Sequence, residues 1–246
     1  MNTFNSTHRM PETYSTFQVP ENLILASLSP EEQARFQSKL QPVDLAQGQI
    51  VYEATVPIDD VYFIDQGMIS VVSMMRNGDT IEVGTIGNEG MIGKWVMLGA
   101  HSVPYRHVVQ VAGKARRMRA SDLLAELVPD RPLTERLHRF HAAFNTQVMQ
   151  GMACNGLHSV EQRCCRWLLT TQDRVGSQEL NITHEFLAQM LGVRRASVTE
   201  VLRPLQSDGL IRASRGKVVI LDPKRLADAS CECYGVIRNE YQRLLG

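Results

Sequence analysis

The chain lacks the cysteine pattern of a secreted, disulfide-stapled protein. Its five cysteines all lie in the second half of 246 residues: Cys154, Cys164, Cys165, Cys231 and Cys233. An odd number of thiols without a repeated spacing does not form a disulfide framework. The N-terminus also lacks a cationic start followed by an apolar run, so no secretory signal is expected. These absences predict a cytoplasmic protein with reduced thiols.

Long hydrophobic runs and catalytic motifs are missing as well. The longest uncharged span, residues 140–160, contains Asn145, Gln147, Gln150 and Asn155, and is therefore too polar for a transmembrane helix. The sequence has no G-x-S-x-G elbow, no H-E-x-x-H pair and no phosphate-cradling glycine loop. We therefore expect no membrane partner, no catalytic residue and no enzymatic activity.

The chain as a whole has no net charge, but its N-terminal and C-terminal parts differ in charge. Lys and Arg number 26 and so do Asp and Glu. Residues 1–130 hold 10 basic against 15 acidic side chains, whereas residues 180–246 hold 10 against 7. The basic surplus at the C-terminal end favours a nucleic-acid partner there, although a surplus this small requires a local cluster of cations.

The N-terminal half of the sequence contains the pattern of a helix start, followed by a β-rich region. A capping box at Ser29–Glu32, with proline at the first helical position, predicts a helix to about Leu40. Residues 43–119 then form seven short β-rich runs separated by glycines. Regular short strands with turn signals are typical of an antiparallel barrel or jelly roll.

A long helix is predicted from about Leu133 to Gly156. Its apolar residues recur at spacings of three and four, and this stripe can pair with a second copy of the helix or pack on the barrel of its own chain. We favour dimerisation, because two DNA readers related by a two-fold axis would each take a half-site. The expected dimerisation residues are Leu137, Phe140, Phe144, Val148 and Met152.

Residues 181–221 have the pattern of a winged helix-turn-helix. Thr183 can cap a short helix that ends at Gly192, and Val198, Leu202 and Leu205 give the next helix a buried side. Two apolar runs around a Ser-Arg-Gly turn predict a hairpin wing. Two helices crossing over a small residue also occur in ordinary helical domains, but the basic hairpin that follows favours the DNA-binding interpretation.

The second helix of this motif is predicted to read DNA. We expect Arg195 and Arg203 to contact phosphate or guanine and Glu200 to accept from cytosine. Pro204 lies inside this helix and predicts a kink or an early end near Arg203. The candidate DNA-binding residues are Thr183, Arg194, Arg195, Ser197, Thr199, Glu200, Arg203, Arg215 and Lys217.

The predicted fold class is α+β, with an N-terminal antiparallel β-roll, a long helix and a C-terminal winged helix-turn-helix. Across residues 21–225 this order resembles the Crp/Fnr family of bacterial transcription regulators. The motifs that carry the resemblance are Gly48 and Gly67, the NEGMIGKWVML stretch at residues 88–98, the VEQRCCRWLL helix at residues 160–169, and the helix-turn-helix.

The resemblance implies a homodimer that binds a two-fold-related site on double-stranded DNA, a cyclic-nucleotide-binding-like roll that senses a small molecule, and RNA polymerase as a further partner. The alternative is a ligand-binding or redox-responsive module that acts through protein contacts. We divide the chain into these parts: a flexible leader 1–20, a sensor roll 21–130, a dimerisation helix 131–157 and a DNA-binding domain 158–246.

The residues that the family uses for cyclic nucleotides match only in part. Nucleotide-binding members hold the ribose with a glycine-glutamate pair and the phosphate with an arginine followed by a small hydroxyl residue. Here Lys94 follows Gly93, and His107 follows Arg106. The exchange of a ribose acceptor for a cation argues against cyclic AMP. Gly93, Lys94, Arg106 and His107 remain the candidate site for another, anionic effector, or are surface and structural charges.

Redox cofactors have little support in the sequence. Iron-sulfur members of the family carry a cysteine cluster near the N-terminus, and this chain has no cysteine before Cys154. The Cys231-x-Cys233 pair and the adjacent Cys164 and Cys165 are candidate thiol switches or ligands, but buried structural thiols are favoured. No metal site is predicted, and the effector stays unidentified.

Overall fold

The computed structural model describes residues 22–246, so the predicted leader of residues 1–20 lies outside the described residues. Two short helices come first, α1 (Leu23–Ala26) and α2 (Pro30–Gln37). The predicted capping box begins α2, because the Ser29 backbone N–H donates to the Glu32 carboxylate at 3.1 Å and the Ser29 hydroxyl caps the Glu32 N–H. The helix ends at Gln37, earlier than predicted.

Six antiparallel strands form the roll. Their bounds are β1 Gln41–Leu45, β2 Ile50–Tyr52, β3 Asp60–Met74, β4 Thr80–Ile86, β5 Met91–Ile92 and β6 Arg106–Arg119. The sheet order is β1-β6-β3-β4, with β2 paired to β6 and β5 paired to β3. The long strands β3 and β6 each join two of the predicted runs, and register shifts between Ile64 and Ile69 bend the pair. The predicted antiparallel roll is confirmed.

One predicted strand is only partly a strand. The MIGKWV run has just Met91 and Ile92 in β5, and a 3₁₀ helix, Lys94–Leu98, follows. Gly93 adopts a left-handed conformation with φ of 87° between the two. A left-handed residue reverses the chain direction and ends strand pairing. The reversal turns Lys94 into the core, where its side chain is 1% exposed.

The helices α3 (Ala120–Glu126) and α4 (Pro132–Leu157) follow the roll. Three of the predicted dimerisation residues on α4, Leu137, Phe140 and Phe144, are buried in the core of their own roll. Glycines make room for them: a Cβ at Gly84 would lie 2.8 Å from Phe144 Cζ, and one at Gly90 would overlap the Phe140 ring. The prediction that these three side chains face a second copy is therefore wrong, since packing on the same chain encloses them.

The C-terminal part contains the remaining elements. They are α5 Val160–Val175, β7 Glu179–Leu180, α6 His184–Leu191, α7 Arg195–Ser207, β8 Ile211–Ser214, β9 Lys217–Ile220, α8 Pro223–Asp228 and α9 Cys233–Leu245. The strands form a small sheet of order β7-β9-β8. The hairpin β8–β9 is the predicted wing, and β7 adds a third strand that the sequence did not indicate.

Pro204 does not end α7, which continues to Ser207. The predicted early end is wrong because the proline lies near the last turn of the helix on its exposed face. A proline removes the hydrogen bond to the carbonyl four residues earlier, which here belongs to the exposed Glu200. Water can satisfy that carbonyl, so the helix tolerates the missing donor.

The last helix returns to the N-terminal part of the molecule. Helix α9 packs along α4, and Leu245 at its end belongs to the core of the roll, with Tyr241 and Leu244 against it. Arg136 of α4 donates to the Leu245 carbonyl at 2.7 Å. Within residues 22–246, no helix combines the length and the apolar character needed to cross a membrane.

Candidate nucleic-acid interface and effector site

The helix-turn-helix is positioned by a side-chain cap and a glycine. The Thr183 hydroxyl accepts from the Phe186 N–H at 3.1 Å, and Gly192 ends α6 in the left-handed conformation, with φ of 63°. Both features were predicted. Val198, Leu202 and Leu205 then bury one side of α7 against the C-terminal core. The opposite side of α7 is therefore fixed toward solvent.

The exposed side of α7 lines a groove together with the start of α6 and the wing. Arg195, Thr199 and Arg203 follow one another at spacings of four along this side. The His184 ring contacts the Thr199 hydroxyl at 3.1 Å, which links the first helix to the second. The groove residues are Thr183, His184, Glu185, Arg195, Thr199, Leu202, Arg203, Gln206, Ala213, Ser214, Arg215 and Gly216.

The wing is held against α7 so that its turn borders the groove. The Gln206 side chain accepts from the Ala213 N–H at 2.6 Å. Arg215 and Gly216, the latter with φ of 74°, form the two-residue turn between β8 and β9. Arg215 is exposed and faces the same groove as Arg195 and Arg203.

The other predicted DNA-binding residues lie around this groove. Glu200 is exposed on α7 and Ser197 is half-buried in its first turn. Arg194 is exposed but lines a second concavity, between the α6–α7 turn and the β3–β4 hairpin. Lys217 forms an ion pair with Glu179 of β7. The structure therefore brings five of the nine predicted residues into one groove. His184 and Gln206 also line this groove, although the sequence did not indicate them.

Among the predicted effector residues, Lys94 is a cation buried inside the roll. Its Nζ lies 3.2 Å from the centre of the Phe144 ring and 4.7 Å from that of Trp95, without a hydrogen-bond partner. Burial lowers the pKa of Lys94 to about 7. The aromatic faces attract the ammonium, but they replace only part of the hydration it has lost.

His107 is also buried, beside Tyr52, with the ring centres 5.2 Å apart. Burial, together with the nearby charge of Lys94, lowers the pKa of His107 to about 4. Gly93 is adjacent, since a Cβ there would lie 2.6 Å from the Tyr52 hydroxyl. Arg106 differs from the others because it is partly exposed and pairs with Glu53 at 2.8 Å. The structure thus groups Gly93, Lys94 and His107 in the interior and places Arg106 at the surface.

A residue of α4 joins this interior group. His141 stacks edge-on against Trp95, with ring centres 6.0 Å apart, and its pKa is lowered by burial and by Lys94. Four buried nitrogens of this group have no hydrogen-bond partner in the described part of the chain: Lys94 Nζ, Trp95 Nε1, His107 Nδ1 and His141 Nδ1. Buried polar atoms without partners are uncommon in proteins.

The surface of α4 carries a different stripe from the predicted one. Exposed residues recur at alternating spacings of four and three, and we call this set the α4 seam: His138, Ala142, Asn145, Met149, Met152 and Gly156. Alternating spacings of four and three are the heptad pattern of paired helices. Met152 belongs to both stripes and is 73% exposed, whereas Val148 is half-buried against the roll core.

The five cysteines divide into two groups, and all are unpaired. Cys164 and Cys165 belong to the core of the C-terminal domain, as expected of structural thiols. Cys154, Cys231 and Cys233 contact one another in a small cluster separate from both large cores.

Two family models match the chain in the order that the structure displays. Residues 42–128 match the cyclic nucleotide-binding domain, and residues 162–229 match the Crp-like helix-turn-helix domain. Together these segments cover more than half of the chain.

Known proteins agree with this assignment. The chain is 27% identical over 214 residues to the CRP-like cAMP-activated global transcriptional regulator of Mycobacterium tuberculosis, covering 83% of this chain and 94% of that protein. A Crp/Fnr-family regulator from Eubacterium rectale has the same fold, with a TM-score of 0.64, 22% identity and coverage of 84% and 96%. So does the c-di-GMP-responsive global regulator CLP of Xanthomonas campestris, with a TM-score of 0.65, 17% identity and coverage of 78% and 99%. The chain therefore belongs to the Crp/Fnr family, and it is a DNA-binding transcription regulator with an N-terminal sensing domain.

Proposed function

We propose that this regulator binds a two-fold-related DNA site as a homodimer and that α7 of each subunit reads one half-site. The observation that carries the proposal is the shared groove of Arg195, Thr199, Arg203 and Arg215, exposed on a helix whose other side is buried. A helix with one fixed polar face can enter the major groove and reach base edges. RNA polymerase is the partner through which such a regulator would act on transcription.

The positions of the groove residues suggest separate roles. Arg195 lies in the first turn of α7, the part of a recognition helix that approaches base edges, so we assign it a base contact. Thr183 and Arg215 border the groove from α6 and from the wing, which suits phosphate contacts. Glu200 remains a candidate acceptor for cytosine. Glu200, Arg194, Ser197 and Lys217 do not line the groove, so they are the less favoured candidates.

The α4 seam is the surface that we assign to the second subunit. It is exposed, extends over most of α4, and combines small residues with the flexible apolar side chains of Met149 and Met152. Small residues let two helices approach closely, and methionine adapts to irregular contacts. Asn145 at the middle of the seam would face its own copy, an arrangement that fixes the register of paired helices.

The DNA-binding proposal is tested by operator selection followed by footprinting of variants. Arg195→Ala should weaken binding by about 1–3 kcal/mol and relax the preference at one position of each half-site. Arg215→Ala should weaken binding about equally on all sequences and reduce the salt dependence by about one unit of slope. Lys224→Ala is the matched control, since it removes an exposed cation of the same domain outside the groove. Unchanged sequence preference in Arg195→Ala would refute its base contact.

We further propose that the roll responds to an anionic effector, bound where Lys94, His107 and His141 present unpartnered nitrogens. The domain matches a cyclic nucleotide-binding family, and a nucleotide phosphate is the kind of anion that such donors attract. Because His141 lies on α4, an anion there would contact both the roll and the helix that carries the α4 seam. Lys94 cannot accept hydrogen bonds from ribose hydroxyls, which still argues against cyclic AMP as the effector.

The effector proposal is tested by calorimetry with cyclic AMP, cyclic GMP, cyclic di-GMP and inorganic phosphate. We expect an anion of this panel to bind the wild type and to lose at least about tenfold in affinity in Lys94→Met, the loss of one charged hydrogen bond. Arg106→Met should have a smaller effect, because Arg106 pairs with Glu53 at the surface. Equal affinities of Lys94→Met and the wild type would refute the site.

A further inference from the structure

Four side chains outside the DNA-binding groove and the roll interior converge at the end of α4. They are Cys154, His158, Cys231 and Cys233, and their ligand atoms all lie within 4.8 Å of one another. Cys154 Sγ lies 3.5 Å from Cys231 Sγ, and Cys233 Sγ lies 3.4 Å from His158 Nδ1. Around a zinc ion with bonds of about 2.0–2.3 Å, tetrahedral ligand atoms are about 3.4–3.8 Å apart. The cluster therefore already has nearly the dimensions of a zinc site.

The chain brings these ligands together from three places. Cys154 and His158 are four residues apart, so they share one side of the end of α4. Cys233 is the first residue of α9, and Cys231 precedes it by two positions in the α8–α9 connection. A single residue between Cys231 and Cys233 is enough to direct both thiols to the cluster, because Glu232 already has helical dihedral angles, with φ of −53° and ψ of −21°.

The surroundings suit a bound cation. The Nε2 of His158 faces the Glu232 carboxylate at 3.3 Å, which leaves Nδ1 as the ligand atom. The Gln150 amide donates to Cys233 Sγ at 3.1 Å, the type of bond that supports a thiolate. Three thiolates and a neutral imidazole around Zn²⁺ would carry one net negative charge.

Burial alone does not account for the cluster. A structural cysteine packs as a small apolar side chain, as Cys164 does in the C-terminal core. Cys154, Cys231 and Cys233 instead form a core cluster that contains only thiols. An iron-sulfur cluster would need its ligands spread over several metal atoms, whereas these four atoms enclose room for a single ion.

We propose that Cys154, His158, Cys231 and Cys233 bind one structural Zn²⁺ ion per chain. The ion joins the C-terminal end of the helix that bears the α4 seam, the α4–α5 junction that leads to the DNA-binding domain, and the start of α9. Its function is to fix the angle at this junction and to hold α9 along α4. Both domains are then attached to one rigid point.

Metal analysis of the full-length protein, purified without added metal under air-free conditions, tests the proposal. We expect about one zinc per chain in the wild type and in Cys164→Ala, which removes a buried thiol elsewhere, and at least about tenfold less in Cys231→Ser. The chelator-stripped wild type should take up one Co²⁺ and show the visible absorption of tetrahedral thiolate coordination. This measurement keeps the proposal testable if Cys231→Ser does not fold.

The exposed Glu232 provides a variant that leaves all four ligands in place. Glu232→Gln should fold normally and bind zinc about 10–100-fold more weakly in competition with a chelator. An unchanged affinity would refute the role of Glu232 in orienting His158. The site itself is overturned by a wild type that binds neither Zn²⁺ nor Co²⁺, that contains iron and sulfide, or that carries a Cys154–Cys231 disulfide when isolated.

Discussion

A lysine side chain lies in the interior of the roll. Lys94 follows the left-handed Gly93 and is directed against Phe144 and Trp95, where it is 1% exposed. Removing an ammonium from water costs free energy that cation–π contacts repay only partly. An anion bound at the proposed effector site would offset part of this cost.

The pH dependence of unfolding should report this cost. The folded-state pKa of Lys94 is about 7, below its ordinary 10.5, so between these values the unfolded chain binds the extra proton. Stability contributed by this site therefore rises with pH from about 7 to 10.5, by up to about 1.4 kcal/mol per unit. Lys94→Met should lose this rise in urea unfolding, whereas Lys114→Met, at an exposed position, should retain it. If stability rose with pH as steeply in Lys94→Met as in the wild type, the lowered pKa of Lys94 would be contradicted.

At the scale of elements, α5 connects the DNA-binding domain to the roll through one buried arginine. Arg174 pairs with Glu89 at 2.8 Å, and its side chain is 7% exposed. It also donates to the Gln147 side chain of α4 at 2.6 Å and to the Thr85 hydroxyl of β4. A second link joins the same elements, since the Trp167 indole donates to Glu82 at 3.0 Å. These buried polar contacts therefore join the C-terminal domain to the roll and to α4.

Removal of this arginine should destabilise the whole chain. Arg174→Met leaves the Glu89 carboxylate buried without its partner, which typically costs about 3–5 kcal/mol. The comparison is Arg243→Met, which breaks an exposed pair with Glu240 and should cost less than about 1 kcal/mol. Chemical denaturation of both variants at neutral pH measures the difference. Similar losses in the two would show that Arg174 does not connect the domains.

At the scale of the whole molecule, the proposed dimer requires two surfaces of α4 to act separately. One side, with Phe140 and Phe144, holds the roll of its own chain, and the other is the α4 seam. A change in the roll can therefore reach the dimer contact through a single helix. The proposed zinc site at the end of the same helix would pass the change on to the DNA-binding domain.

Dimerisation and DNA binding should be lost together when the seam is charged. Met149→Glu places two carboxylates opposite each other in the proposed contact, and we expect a folded monomer by light scattering. Its DNA affinity should fall by at least about 100-fold, because both half-sites can no longer be bound at once. Met75→Glu, at another exposed methionine, should remain dimeric. A dimeric Met149→Glu variant would rule out the seam as the contact.

Much of this molecule followed from local patterns in its sequence. The capping box at Ser29, the cap at Thr183 and the glycine end of α6 were predicted because each is decided by residues within one or two turns. The antiparallel roll, the long helix and the wing followed from periodicity and turn signals. The wrong predictions were of another kind. The stripe on α4 could not reveal which side of the helix would pack on the roll, and Pro204 could not reveal that the Glu200 carbonyl, which loses its helical donor, lies on an exposed face.

The sequence by itself determined the order of the elements, the family resemblance and the polar face of the recognition helix, since these depend on neighbours along the chain. Only the tertiary structure decided which residues distant in the sequence contact one another. Phe140 fills the space left by Gly90, 50 residues earlier, and Phe144 fills the space left by Gly84, 60 residues earlier. His158 gave no signal of its own, and it became a candidate ligand only when α9 returned to α4 and brought Cys231 and Cys233 to it. Contacts between distant residues depend on how whole elements pack, which no local spacing specifies.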